Sequence, residues 1–180
     1  MPTVLVPLAN GVEEMEAVII IDVLRRAQWT VVTVGIDEGV VTASRGVRLL
    51  PDRPWADLDP SGFDVLMIPG GGPGVERLLK DARLLETLRE FDRAGKWIGA
   101  VCAAPLALQA AGLLRGRRVT CHPGVADRLT VTPRLDERVV VDGRIVTSQG
   151  PGTTIEFALA MVRLVDGDKK AQSLAQSMGV

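Results

Sequence analysis

The sequence predicts an α/β protein, a three-layer sandwich with a mostly parallel central sheet and helices on both faces. Three observations lead there. Short apolar runs rich in β-branched residues recur at Thr3 to Pro7 (TVLVP), Trp29 to Gly35 (WTVVTVG), Phe63 to Ile68 (FDVLMI) and Lys96 to Val101 (KWIGAV). Such runs, with little polar alternation, belong to strands buried on both faces. Helical patterns lie between them and glycine-rich breaks follow the strands, which is the order of βα units. With 180 residues, 47% of them hydrophobic, the chain can bury about 70% of the surface its unfolded form exposes. One domain over residues 1–180, of flavodoxin-like layout, is therefore expected.

The first run is followed by an Ala-Asn-Gly break and a helix over Glu13 to Ala27, with acidic residues in its first turn where the helix dipole favours them. After the second run, Val40 to Leu50 reads as a β excursion bent around Ser44-Arg45-Gly46, and Pro51 and Pro54 then impose a loop. Pro69-Gly70-Gly71-Gly72-Pro73-Gly74 closes the third run, and Asp81 can cap a helix to Ala94. Ala103 to Leu114 reads as the helix after the fourth run. Val139 to Val141 and Arg144 to Thr147 form a hairpin around Asp142-Gly143, a pair suited to a type I′ turn. Thr153-x-x-Glu156 has the pattern of a capping box opening a helix through Leu164.

Composition removes several function classes. A net charge of -1 and a pI near 5.9 leave no basic footprint for nucleic-acid phosphates. No window is long and apolar enough to span a bilayer, and Glu13, Glu14 and Glu16 follow the first apolar run too closely for a secretory signal. A cytoplasmic protein is expected. Cys102 and Cys121, the only cysteines, have neither a disulfide framework nor metal-ligand spacing, so both are read as reduced thiols.

In a doubly wound sheet, ligands sit beyond the carboxyl ends of the strands, so the loops at Ala9 to Val12, Pro69 to Gly74 and Cys102 should converge. Gly99-Ala100-Val101-Cys102-Ala103-Ala104-Pro105 passes from a buried strand into an alanine-rich helix, with small residues around the thiol. This is the logic of a nucleophile elbow, and the end of a helix dipole there favours thiolate. The alternative is a small buried hydrophobe. The Gly-rich loop offers unobstructed amides, half of an oxyanion hole with the Ala103 amide as the other half, or else a plain tight turn. Glu16 shares a helical stripe with Ile19, Ile20 and Val23, and a desolvated carboxyl exchanges protons near neutral pH. Glu13 and Glu14 read as solvated first-turn acids. His122 is the only histidine, placed before Pro123 at a strand end, where a loop at the sheet's carboxyl edge is expected. Cys121 reads as packing.

Taken together, these motifs resemble the DJ-1/ThiJ/PfpI superfamily, in its DJ-1 and YajL-like branch, over nearly the whole chain. The resemblance is carried by Gly11-Val12-Glu13-Glu14-Met15-Glu16, Asp22-Val23-Leu24-Arg25-Arg26-Ala27, Ser44-Arg45-Gly46-Val47, Pro69-Gly70-Gly71, Val101-Cys102-Ala103-Ala104-Pro105, Thr120-Cys121-His122-Pro123 and Thr147-Ser148-Gln149-Gly150-Pro151-Gly152-Thr153. It implies a nucleophilic, oxidation-prone Cys102, a protonated Glu16 hydrogen-bonded to it, a nearby His122, and backbone donors at Gly71 and Ala103. It also implies a homodimer through the first helix, and cofactor-free roles in carbonyl detoxification and oxidative-stress protection. The substrates so implied are methylglyoxal, glyoxal or their early adducts on thiols and amines. Ala103 stands where the PfpI branch carries histidine after the cysteine, which argues against peptidase chemistry.

Overall fold

The computed structural model describes residues 1–180. Nine strands form in chain order: β1 (Thr3–Leu8), β2 (Thr30–Gly35), β3 (Val41–Thr42), β4 (Arg48–Leu49), β5 (Arg53–Pro54), β6 (Val65–Ile68), β7 (Trp97–Val101), β8 (Val139–Asp142) and β9 (Ile145–Ser148). The helices are α1 (Glu14–Arg26), α2 (Gly72–Leu78), α3 (Ala82–Arg93), α4 (Pro105–Ala110), α5 (Thr154–Asp166) and α6 (Asp168–Met178). Seven strands make one sheet in the order β5-β2-β1-β6-β7-β9-β8, and β3 with β4 makes a separate hairpin. Every pair in the large sheet is parallel except β8 with β9. The flavodoxin-like α/β sandwich expected from the sequence is the observed fold.

Side chains alternate across the sheet, so each central strand feeds two apolar layers. Val4, Val6 and Leu8 of β1 join Val65 and Met67 of β6 under α1 and α5, whereas Leu5, Leu66 and Ile68 pack with α3 and α4 on the other face. Gly99 lets β7 lie under this packing, because an added Cβ would sit 2.4 Å from Met67 Sδ and 2.8 Å from Phe157 Cζ.

Several local expectations change. The Gly-rich segment is a break for only three residues, Pro69 to Gly71, because α2 starts at Gly72 with Pro73 in its first turn, where a missing N–H costs nothing. The helix after Cys102 is limited to Pro105–Ala110. Thr120 and Cys121 join no strand, since Val119 makes only an isolated bridge to Arg134. Arg53–Pro54, read as loop, pairs as an edge strand, a position that tolerates proline. Asp142 belongs to β8 opposite Ile145, so the hairpin turns on Gly143 and Arg144, and only Gly143 has positive φ (59°), which does not suit type I′. The Thr153 hydroxyl makes no cap bond to α5 and Glu156 pairs with Arg138, so the capping box does not form. Beyond α5, α6 adds a further helix.

Candidate active site

The carboxyl ends of β1, β6 and β7 deliver three loops to one place. Backbone bonds strap them together. Glu13 N–H donates to Gly70 O at 3.0 Å, and Gly11 and Ser44 N–H donate to Thr42 O and Val12 O, each at 2.8 Å. Gly71 has φ +93°, and a Cβ there would lie 2.4 Å from Glu13 N and from Gly11 O. Only glycine permits this approach.

Cys102 occupies the turn between β7 and α4 with φ +64°, one of two non-glycine residues in the chain with positive φ. A left-handed conformation costs an ordinary side chain roughly 1–2 kcal/mol, so the surroundings must hold it. Its N–H donates to Ser148 O at 2.9 Å and its carbonyl accepts His122 N–H at 2.8 Å. The elbow expected from the small neighbours is present. Cys102 is partly exposed, and the Gly71 and Ala103 amides face its sulfur closely enough to favour the charged form.

Glu16 is fully buried on α1, reached by the helix that Glu13 caps with its carboxylate on Glu16 N–H at 2.8 Å. Its Oε2 accepts Gly70 N–H at 2.6 Å, while Oε1 has no well-formed partner. Gly70 is wedged into the pair: a Cβ there would lie 2.6 Å from Cys102 Cβ and 2.9 Å from Glu16 Oε2. Burial pushes the Glu16 carboxyl up to about 7 against the pull of the Gly70 amide. A neutral carboxyl near physiological pH, as the sequence reading required, follows from that desolvation.

The thiol behaves differently from the sequence expectation of a thiolate. Burial, then the negative charge of Glu16, push Cys102 up to about 12, although the Gly71 and Ala103 amides pull it down. The reason is that two acids share one desolvated place, which accommodates one negative charge and resists a second. A helix only six residues long, beginning three residues past the sulfur, is too weak a dipole to reverse this. The chemistry available is a proton handover: Glu16 takes the thiol proton as sulfur attacks, and returns it afterwards.

His122 is tied to Cys102 through the backbone, but its imidazole is exposed and turned elsewhere. Nδ1 accepts Gly124 N–H at 3.0 Å, which places the proton of the neutral ring on Nε2, and the ring lies against Gly150. The structure therefore joins Cys102, Glu16, Gly71 and Ala103 and sets His122 at the edge. Glu14, expected to be solvated, is buried and holds the β3–β4 turn: its carboxylate accepts Ser44 Oγ at 2.8 Å and Arg45 N–H at 2.7 Å. Gly70 and Ser148 complete the surroundings of Cys102. Sequence reading gave Gly70 only a general place in an amide-rich loop and Ser148 no role, because backbone contacts leave no periodic signal.

Comparisons with known proteins agree with this fold. The model of the DJ-1/PfpI family matches residues 2–164. Protein DJ-1 homolog B of Arabidopsis thaliana is 40% identical over 178 residues, 98% of this chain, and this chain spans 41% of that longer relative. A Caenorhabditis elegans protein named glutathione-independent glyoxalase DJR-1.2 is 38% identical, over 92% of this chain and 89% of its own. The solved structure of oxidized Toxoplasma gondii DJ-1 superposes with a TM-score of 0.94 at 38% identity, covering 99% of this chain and 98% of that one.

Proposed function

Because the chain belongs to the DJ-1/PfpI family, we infer that it is a cysteine-dependent, stress-protective enzyme of glyoxalase or deglycase type. Its substrates in this reading are methylglyoxal, glyoxal or their early adducts on thiols and amines. The observation that carries it is the Cys102–Glu16 pair: a thiol with two amide donors, beside a buried carboxyl that exchanges its proton at about pH 7. The name of the C. elegans relative supports the same chemistry.

With methylglyoxal, Cys102 sulfur bonds to the aldehyde carbon while Glu16 takes the thiol proton, and the carbonyl electrons move onto oxygen. The Gly71 and Ala103 amides are the donors for that oxyanion, which Glu16 then protonates to the hemithioacetal. Glu16 moves the proton of the former aldehyde carbon to the neighbouring carbon while the hydroxyl proton passes to the ketone oxygen, which leaves a hydroxy-thioester. Water hydrolyses it to lactate and frees the thiol. One water is consumed and no electron acceptor is needed, so the cycle uses no cofactor. A methylglyoxal-to-lactate assay on wild type, Cys102→Ser and Glu16→Gln tests it; undiminished product from Cys102→Ser overturns it.

A second reading makes Cys102 a redox sensor. The unpartnered Glu16 Oε1 favours it, because a neutral carboxyl there can donate to an oxygen added to the sulfur. Gain of two oxygen atoms at Cys102 after mild peroxide supports this role, and an unchanged mass removes it. Both readings place the protein in the cytoplasm, where Cys102 and Cys121 stay free. Both include a homodimer. Met15 and Val18 on α1 are 55% and 47% exposed, so α1 is not apolar toward its own core alone, and Val47 and Leu50 beside β4 are exposed too.

A further inference from the structure

Cys102 is held in a strained conformation by two backbone bonds, and both anchors lead to the same side chain. Cys102 N–H is bound by Ser148 O, and Cys102 O by His122 N–H. Ser148 is fully buried and its hydroxyl donates to Arg138 O at 2.7 Å. That bond uses the only hydroxyl hydrogen Ser148 has, so in its 2.6 Å contact with Thr153 Oγ1 the Thr153 hydroxyl is the donor. Thr153 Oγ1 then accepts Gly150 N–H at 3.1 Å. The Gly150 carbonyl is served by Thr153 N–H at 3.0 Å and Thr154 Oγ1 at 2.9 Å, so it does not depend on Thr153 Oγ1, which also lies 3.0 Å away but is closer to Ser148 Oγ. Gly150 in turn packs on the other anchor, since a Cβ there would lie 3.3 Å from His122 Cδ2. The circuit runs Cys102, Ser148, Thr153, Gly150, His122 and back to Cys102.

We propose that Thr153, through this circuit, is a positioning residue that keeps the Cys102 sulfur on the Gly71 and Ala103 amides. The proposal rests on the reading of Cys102 as the nucleophile. Thr153 is 5% exposed and its hydroxyl is not spent on capping α5; its contacts, Ser148 Oγ, Gly150 N–H and Gly150 O, all lie within the circuit. Loss of that hydroxyl strands the buried Gly150 N–H, leaves Ser148 Oγ with its bond to Arg138 O alone, and loosens both anchors together. Cys102 then relaxes out of the left-handed region, its sulfur leaves the two amides, and ionisation becomes harder.

The test is the rate of Cys102 alkylation by iodoacetamide from pH 6 to 10, read by peptide mass spectrometry in wild type, Thr153→Val and Thr153→Ser, with Cys121 as the internal reporter of opening. Thr153→Val keeps the shape and removes the hydroxyl. A lost hydrogen bond to a charged group is worth about 1.5–3 kcal/mol, so Cys102 should react at least about tenfold more slowly. Its pH profile should move to higher pH, Thr153→Ser should restore both, and Cys121 should stay unlabelled. A merely structural prop predicts the opposite, faster labelling of Cys102 with Cys121 labelled too, and that result overturns the proposal. A wild-type rate and profile in Thr153→Val also overturns it. If wild-type Cys102 is inert throughout, the nucleophile reading and this proposal fall together. Slow labelling of Thr153→Val in a protein that never turns over methylglyoxal retires the glyoxalase reading and leaves the positioning role standing.

Discussion

Replacing Glu16 with glutamine should remove a pH dependence of stability that the wild-type protein carries between about pH 4.5 and 7. In the unfolded chain this carboxyl ionises at its ordinary 4.5, whereas in the folded protein burial holds its proton until about 7. Between those values the folded state keeps a proton that the unfolded state has shed, so raising the pH favours unfolding. The contribution is complete below pH 4.5, declines through the window and is gone above 7. At 1.36 kcal/mol per unit the loss is about 3 kcal/mol. Glutamine keeps the volume and an acceptor for Gly70 N–H, and sets an amide NH2 where Oε1 lacks a partner. That substitution adds an offset which does not change with pH. Every ionisable group other than Glu16 is common to both proteins and cancels, and Cys102, raised from 9.0 to about 12, stays neutral across the window. Urea unfolding at half-unit steps from pH 4.5 to 8 measures the difference directly, provided the denaturant slope is common to both. Wild type should lose about 3 kcal/mol relative to Glu16→Gln across the range. Two stability curves that run parallel would refute the claim that this carboxyl is buried protonated.

The same group sets the expected rate profile. Glu16 acts first as a base, so kcat/KM for methylglyoxal should rise with pH through about 7, and a rate independent of pH from 6 to 8 contradicts the handover. Gly70→Ala puts a methyl group 2.6 Å from Cys102 Cβ and 2.9 Å from Glu16 Oε2. Overpacking at such a place costs about 1–3 kcal/mol, so both midpoint of unfolding and turnover should fall, and a fully active, equally stable variant would show the wedge to be slack. Val18→Glu sets a charge on the exposed apolar stripe of α1. Sedimentation should show a dimer in wild type and a monomer in the variant at the same concentration; a monomeric wild type rules the interface out.

The fold was legible because its signals are local. Buried parallel strands write themselves as short apolar runs, and glycine and proline mark their ends, so β1, β2, β6 and β7 could be placed within a residue or two. The elbow at Cys102 is legible for the same reason: small residues on both sides of it are what a left-handed turn between strand and helix demands. Glu16 was found from its stripe, since Ile20 and Val23 bury beside it. The helix α2 was hidden because Gly-Pro-Gly reads as a break, although proline suits a first turn. Thr153 was misread because a threonine three residues before a glutamate has the spacing of a capping box, yet Ser148 and Gly150 compete for its hydroxyl and win.

Thiol ionisation is the one balance of forces that local sequence does not determine. A helix terminus is worth about 0.3–1 kcal/mol to a nearby charge. Against it stand the desolvation of Cys102 and a carboxylate that comes from α1, far off in the chain, and together they shift the thiol from 9.0 to about 12. Three units correspond to about 4 kcal/mol, several times what a short helix supplies. The through-space effect wins, and the reactive species is consequently a pair. With one negative charge shared between sulfur and carboxyl, Gly70 stabilises it on Glu16 and the Gly71 and Ala103 amides stabilise it on Cys102. Moving the proton between them swaps one set of donors for the other. An electrophile that bonds to sulfur removes the charge from it and leaves Glu16 protonated, which is the state its burial favours. The same desolvation that makes the free thiolate costly therefore favours the step that consumes it.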